Sequence, residues 1–497
     1  MKLLGAVFTI AVLVDRTVAH GHPRIHDETV VKEIGHKDLV NTLGKLYRYA
    51  ERTTWSRAFG EQGYKLSVDM VLRGIKQCGN NIMPRVQTFT YLYERTNDIS
   101  IIGPECDRPR IISLQWNSGT RLPGGVSGSM IGTPVDDERG SACFEDQWNG
   151  INATGKIALV KRGVCAIADK VKLAMSKGAI AVLVWHHLPG HVTQGTLGFD
   201  NAGNLVPVGV INNTVGDGWS RRLLTGEDMR VKLIINHTME ERESWNVIAD
   251  TRRGSQDSII MLGAHLDSVQ AGPGINDNGS GSSALIEIMQ KSCLTTHRSR
   301  IRYAWWGAEE LGMIGSTFYA NNLTQEEAEQ IRFYYNFDMI GSRKAEWTVY
   351  ASNEADKFGA KYLYEFLKDS RYVRKHAQNV TYQPFGSTSD HVPFRKLGIP
   401  SSGLFSGAGP KADVCNHQFC DDVRNVDHWN LLEATRAAGH AMANMAILHP
   451  ESLPARKGTT MNPKEKRSIE TDRDELIHPE NDHSPGQQPL KIWQRTV

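Results

Sequence analysis

Strong charge of either sign is missing from this sequence: 57 Lys and Arg stand against 55 Asp and Glu, leaving +2 over 497 residues. A chain with so weak an overall field has no general means of attracting nucleic acid or an anionic membrane, and neither is an expected partner. Long apolar runs are missing too. Beyond the first residues, no segment reaches the roughly 18 apolar residues of a membrane-spanning helix. No internal repeat is found, so the chain is not read as a stacked array. Cysteine is sparse and odd in number, at seven, which leaves at least one thiol free or paired elsewhere.

What is present is a composition of 40% hydrophobic residues, enough to bury a large core in two domains rather than one. The chain starts like a secretory leader over residues 1–19, with Lys2, the apolar stretch Leu3 to Val14, and the small-residue cleavage site Thr17-Val18-Ala19. As a helix that stretch reaches about 18 Å, short of the roughly 30 Å of a bilayer core, and Asp15 and Arg16 interrupt it. Cleavage and export are therefore expected, giving a secreted, extracellular monomer, with a vacuole as the alternative destination. Sequons at Asn152, Asn212, Asn236, Asn278, Asn322 and Asn379 are compatible with that route. In an exported chain cysteines favour disulfides. Cys415 with Cys420 and Cys143 with Cys165 are the favoured pairs, and Cys78, Cys106 and Cys293 stay unassigned.

Residues 27–75 carry helix-like apolar spacing, as in Leu39, Leu43 and Leu46. From about 105 to 235 short apolar runs alternate with glycine: Lys156 to Val160, Ala179 to Trp185 and Leu205 to Ile211 read as strands, and Ile167 to Ser176 as a helix. This stretch is expected to be a small domain inserted in a larger one. From Trp245 the texture becomes strand, loop, helix, with Ser258 to Gly263, Ile301 to Trp306 and Phe333 to Phe337 as buried strands of an α/β domain. The expected layout is leader 1–19, N-terminal part of the main domain 20–104, inserted domain 105–235, main domain 236–449 and a disordered tail 450–497. In that tail Lys466-Arg467 is either a processing site or an ordinary solvated charge pair.

Polar residues cluster just after the apolar runs, where α/β sheets gather their reactive groups. Gly263-Ala264-His265-Leu266-Asp267-Ser268 is followed by Gly274-Ile275-Asn276-Asp277-Asn278-Gly279-Ser280-Gly281. His265 and Asp267 are two apart on an extended chain, so the carboxylate can take the imidazole N–H and leave the other nitrogen for a metal. Asp277 is either a ligand or a helix N-cap. Glu309-Glu310 ends the next strand: adjacent acids repel unless a metal or a shared proton relieves them, or they simply open a helix at the surface. Asp338 ends the third strand in an apolar setting, and His417 lies between Cys415 and Cys420. A two-metal zinc site needs about five protein groups with one carboxylate bridging, and His265, Asp277, Glu310, Asp338 and His417 supply them.

In this order the motifs are specific. His265-Leu266-Asp267, Asn276 to Gly281, Gly307-Ala308-Glu309-Glu310, Asn336-Phe337-Asp338-Met339 and Cys415 to Asp421 resemble those of the secreted di-zinc aminopeptidases of the leucine aminopeptidase and aminopeptidase Y type. The resemblance is close over about 240–448 and weaker upstream. It implies an α/β fold with a mixed, mostly parallel eight-stranded sheet flanked by helices. It also implies that 105–235, with Cys143, Gly155-Lys156-Ile157 and Arg162 to Cys165, is a protease-associated domain. It implies two Zn2+ ions: Asp277 bridging, His265 and Asp338 completing one, Glu310 and His417 the other. Glu309 falls on the general base and Asp267 on the carboxylate behind the ligands. Two positions depart from the pattern, Asn278 where Asp is common and Asn416 where many relatives have Tyr. Ser389-Asp390-His391 resembles a further motif near the site.

The implied activity is release of N-terminal residues, large and apolar ones such as Leu, from peptides with a free N-terminus. Glu309 would take a proton from a metal-activated water and return it to the leaving amine. The rivals are a carboxypeptidase on the same metal site and a binding ectodomain whose site has decayed.

Overall fold

The computed structural model describes residues 22–190, 195–369 and 380–454. The leader, the Asn379 sequon and Lys466-Arg467 lie outside them, as does nearly all of the expected tail.

The strands are β1 (Ile82–Ile102), β2 (Ile111–Ile112), β3 (Val126–Gly132), β4 (Ile157–Lys161), β5 (Ala181–Trp185), β6 (Val208–Ile211), β7 (Arg230–Thr251), β8 (Ser255–His265), β9 (Ser299–Trp306), β10 (Ile331–Phe337), β11 (Thr348–Tyr350), β12 (Thr381–Gln383) and β13 (Ser401–Phe405). Eight of them form the main sheet in the order β12-β11-β13-β10-β8-β9-β7, with β1 beside β7. Its centre, β13-β10-β8-β9, is parallel, and the flanks at β11–β13, β7–β9 and β1–β7 are antiparallel. The sheet is thus mixed with a parallel heart, as the resemblance implied.

Central strands covered on both faces read as continuous apolar runs, and their side chains alternate between two cores. Ile260, Leu262, Ile301, Tyr303, Trp305, Phe333, Tyr335 and Phe337 pack on one face with the helices Gly279–Ser292 and His428–Ile447. Their neighbours Ile259, Met261, Ala304, Trp306 and Tyr334 pack on the other. The helices Asp27–Glu33, His36–Glu51 and Gln62–Lys76 lie over the first face, burying Leu39, Leu43 and Leu46. A disulfide links Cys78 to Cys293, joining the ends of Gln62–Lys76 and Gly279–Ser292 across 215 residues of sequence.

β1 and β7 are 21 and 22 residues long and pair along nearly their whole length, with a register shift at Thr96/Asp98. Their near halves close the main sheet. At the far end Arg230–Leu233 pairs with β3, and the sheet runs on through β4-β5-β6-β2. Here Ala158, Val160, Val182 and Val184 face one small core and Ile157, Leu159, Leu183 and Trp185 the other. The helix over Ile167–Ser176 forms as read, and Cys143–Cys165 and Cys415–Cys420 are bonded as favoured. Cys106 is the free and exposed thiol.

Among the described residues no helix is long and apolar enough to cross a membrane.

Candidate metal centre

Because β10, β8 and β9 are adjacent and parallel, their C-terminal ends meet, and His265, Glu309, Glu310 and Asp338 arrive together although far apart in sequence. Asp277 comes from the loop before Gly279–Ser292, and His417 from the disulfide-closed loop after β13. Three of these segments contain non-glycine residues at positive φ: Ala308 at 56°, Met339 at 48° and His417 at 57°. Such conformations are uncommon for side-chain-bearing residues and concentrate where a site dictates the backbone.

Two donor sets result, His265 with Asp277 and Asp338, and Asp277 with Glu310 and His417, each with its ligand atoms within 4.8 Å of one another. Asp277 belongs to both. Its Oδ1 lies 3.2 Å from His265 Nε2 and its Oδ2 3.1 Å from His417 Nε2. Asp338 Oδ1 is 3.3 Å from His265 Nε2, and Glu310 Oε2 is 3.1 Å from His417 Nε2. Glu309 Oε2 stands at 3.9 Å from His265 Nε2, outside both sets.

The surrounding hydrogen bonds aim these atoms. Ser389 Oγ donates to Asp338 Oδ2 at 2.7 Å, leaving Oδ1 toward the centre. Asp421, in the Cys415–Asp421 motif, accepts from the main-chain N–H of both Asn276 and Asp277 at 2.9 Å, tying the His417 loop to the Asp277 loop. Asn278 is fully buried; its Oδ1 accepts from Gly281 N at 2.9 Å and its Nδ2 donates to Phe337 O at 2.8 Å, so the amide found where Asp is common caps the helix. The Asp277–Asn278 peptide is cis. The Asp267 carboxylate sits 3.7 Å from His265 Nδ1, whereas the Asp267 main-chain carbonyl is at 3.3 Å. That carboxylate faces the N–H groups of Glu309 at 3.1 Å and Glu310 at 3.4 Å, so it orients the acid pair as well as neighbouring the imidazole. His391 is a packed histidine: its ring lies against Phe385 and near Tyr350, which also stack on each other, and its Nε2 is 2.8 Å from Gly386 O.

Electrostatically the pocket is overloaded with acid. Burial pushes Glu309 well above the usual carboxylate range, and it raises Glu310 to about 7 with Asp277 adding to the effect. Asp390, also buried, is raised to about 7. Burial works the same way on Asp277, but His265 and His417 outweigh it and hold its carboxyl low. His417 is lifted to about 12, chiefly by Glu310. His265 is raised too; burial opposes its charge, and Asp338 and Glu309 lead the groups that overcome it. Buried charges are stable only when paired or coordinated. Yet His265 Nε2, Asp338 Oδ1 and Glu310 Oε1 are buried with no hydrogen-bond partner. Free nitrogen and oxygen donors converging from both sides of a shared carboxylate suit zinc, whose ligands are His nitrogen and carboxylate oxygen.

Arg57 escaped the sequence reading. It is wholly buried beside the site, among the charges of Asp267, Asp421, Asp277 and Glu310; burial lowers its pKa to about 10, so it stays cationic at neutral pH. A lone arginine more than 200 residues from its contacts carries no local signal.

An acid- and imidazole-lined centre at the strand ends of an α/β sheet, joined to a small second sheet, is the make-up of a metal-using hydrolase. Residues 246–442 match the model of peptidase family M28, and residues 126–219 match that of the PA domain. Aminopeptidase Y of Saccharomyces cerevisiae is 31% identical over 452 residues, covering 85% of this chain and 81% of that protein. Leucine aminopeptidase 2 of Trichophyton rubrum is 31% identical over 458 residues, covering 85% and 87%. The chain belongs to peptidase family M28 and carries a PA domain, as its motifs implied. In fold it is similar to a solved aminopeptidase from an Aneurinibacillus strain, with TM-score 0.65 and 22% identity over 87% of this chain and 98% of that one. It is also similar to BSAP, a zinc aminopeptidase from Bacillus subtilis, with TM-score 0.62 and 23% identity over 85% and 97%.

Proposed function

We propose that this peptidase is a secreted zinc aminopeptidase that holds two zinc ions and releases N-terminal residues from peptides, with large apolar residues such as Leu preferred. The observation that carries the reading is the position of Asp277, whose two carboxylate oxygens face two separate donor sets. His265 and Asp338 would complete one zinc, and Glu310 and His417 the other. The names of the relatives, aminopeptidase Y and leucine aminopeptidase 2, support the exopeptidase action and the side-chain preference. The leader-like N-terminus supports secretion, and the peptidase domain is taken to comprise 20–104 and 236–449 around 105–235.

A pair of zinc ions so held supplies Lewis acidity to a scissile carbonyl and lowers the pKa of water toward ~7. The chain does the rest. Glu309 lies outside both donor sets, so its carboxylate is free to take a proton from the attacking water and hand it to the leaving amine. Asp267 holds the Glu309 and Glu310 main chain in place for that transfer. Acidic groups around the centre attract the free α-ammonium of a substrate, which favours cleavage next to the N-terminus.

Zinc content and turnover on paired free-amine and N-acetylated aminoacyl amides test the reading together. About two zinc ions per chain and cleavage of the free-amine forms alone are expected. Protein that neither contains nor takes up zinc would overturn the metal assignment, and equal cleavage of acetylated forms would overturn the exopeptidase assignment.

A further inference from the structure

The connection between His265 and Asp277 is a loop without regular structure, and one side chain from a distant part of the sequence threads it. Arg57 follows the helix His36–Glu51 and is fully buried. Its Nε donates to Pro273 O at 2.9 Å and its Nη2 to Gly274 O at 2.5 Å, while Nη1 donates to Leu266 O at the other end of the loop. Its main chain holds the same loop. Arg57 N donates to Ser268 Oγ at 2.9 Å, and Ser268 N donates to Arg57 O at 3.3 Å. Gly274 is at φ +60°, and a Cβ there would come within 2.3 Å of Asp277 O and 2.4 Å of Ser268 Cβ, with Nη2 of Arg57 at 3.2 Å, so the loop folds tightly on itself where the guanidinium grips it.

Each feature suits arginine. A guanidinium presents donors in a rigid planar fork, so one side chain can hold carbonyls at both ends of a loop in fixed relative positions. An ammonium on a flexible stem keeps the charge but not that geometry. The charge also has a place, because Asp267, Asp277, Glu310 and Asp421 all act on Arg57 electrostatically.

We propose that Arg57 is a positioning residue for the metal centre: by bracing Leu266 to Gly274 it sets the spacing of His265 and Asp277, and its charge offsets the crowded carboxylates. This rests on reading His265 and Asp277 as zinc ligands. Arg57 belongs to neither donor set, and these hydrogen bonds all go to the loop, through which it acts.

The test is Arg57→Lys beside Arg57→Met in the full chain. Zinc affinity is measured by competition with a chelator, melting temperature is measured with and without zinc, and kcat and KM are measured at saturating zinc. The expected result for Arg57→Lys is zinc affinity at least about tenfold weaker, the scale of losses when the support of a ligand is removed. Zinc should then raise its melting temperature less than it raises that of the wild type, with KM unchanged. Arg57→Met should lose more affinity; if it does not fold, the lysine variant decides. Wild-type zinc affinity in a folded variant, with equal melting losses in the metal-free and zinc-loaded forms, would make Arg57 a packing residue and overturn the proposal. Wild-type protein that binds no zinc would overturn the metal reading itself, whereas a zinc-binding wild type matched by Arg57→Lys removes only this inference.

Discussion

Asn416 Nδ2 donates a hydrogen bond of 2.8 Å to Asp277 Oδ2, the oxygen that also faces His417. The residue found where many relatives have Tyr is thus turned onto the shared carboxylate rather than outward to a substrate. It orients one lone pair of Oδ2 and leaves the other for the Glu310 and His417 side.

Removing that bond should be felt in the metal before the chemistry. Asn416→Ala gives up a hydrogen bond to a charged acceptor, worth about 1.5–3 kcal/mol. Zinc affinity is expected to fall by about tenfold or more, with kcat at saturating zinc changed little; chelator titration alongside turnover checks both.

Glu309 and Glu310 are neighbours with different expected roles. Glu309→Gln should keep both metals and near-normal substrate binding while losing about 10² to 10⁴ in turnover. Glu310→Gln should lose zinc instead. The amide is close in size to the carboxylate, so packing is preserved in both. Metal content and kcat measured on the same samples separate the roles, and the opposite pattern would exchange them.

Zinc binding should strengthen as pH rises through about 7. Glu310, raised to about 7 in the metal-free protein, and His417, raised to about 12, must both give up protons to ligate. For the metal-free protein the sign is reversed. A carboxyl whose folded pKa exceeds its unfolded value of 4.5 stabilises the fold fully below that value and loses its contribution as pH rises through about 7. The gap in melting temperature between zinc-loaded and metal-free protein should therefore widen from pH 5 to pH 8, read by calorimetry.

The disulfides should divide their effects. Cys78–Cys293 closes a loop of 215 residues, for which chain entropy gives roughly 5 kcal/mol, and its double Ser variant should melt markedly lower with zinc affinity intact. Cys415–Cys420 spans 5 residues around His417. Its double Ser variant should melt within a few degrees of the wild type in metal-free form but hold zinc more weakly.

Asn278 should carry no glycan despite its Asn-Gly-Ser sequon, because its side chain is fully buried and its Nδ2 is bonded to Phe337 O. Asn152 is exposed and should be available to the same machinery. Glycopeptide mapping of protein expressed through a glycosylating pathway checks this, and substantial occupancy at Asn278 would contradict the site geometry.

Local pattern was enough for β4, β5, β6, β8, β9 and β10 and for the motifs at the ends of the last three, but not for the long pair β1 and β7, whose partly exposed residues form no compact apolar run. Runs such as Ile331 to Phe337 and Ile301 to Trp306 are largely apolar, broken only by Arg332 and Asn336 in the first and Arg302 in the second, because both faces of a central parallel strand are covered. The polar residues just beyond them stand out for that reason, and the short spacing of Cys415 and Cys420 made their pairing legible. What needed the tertiary structure was everything carried across long separations. The Cys78–Cys293 bond, the grip of Asp421 on the Asn276 and Asp277 main chain, and the arms of Arg57 on Leu266, Pro273 and Gly274 join segments that share no periodicity. The direction of a side chain was likewise decided in three dimensions. Asp267 stands two residues from His265 on an extended chain, which suggests a carboxylate aimed at the imidazole. Packing β9 against β8 brings the N–H groups of Glu309 and Glu310 to that carboxylate as well, and unpaired donors in a dry interior take the nearest acceptor.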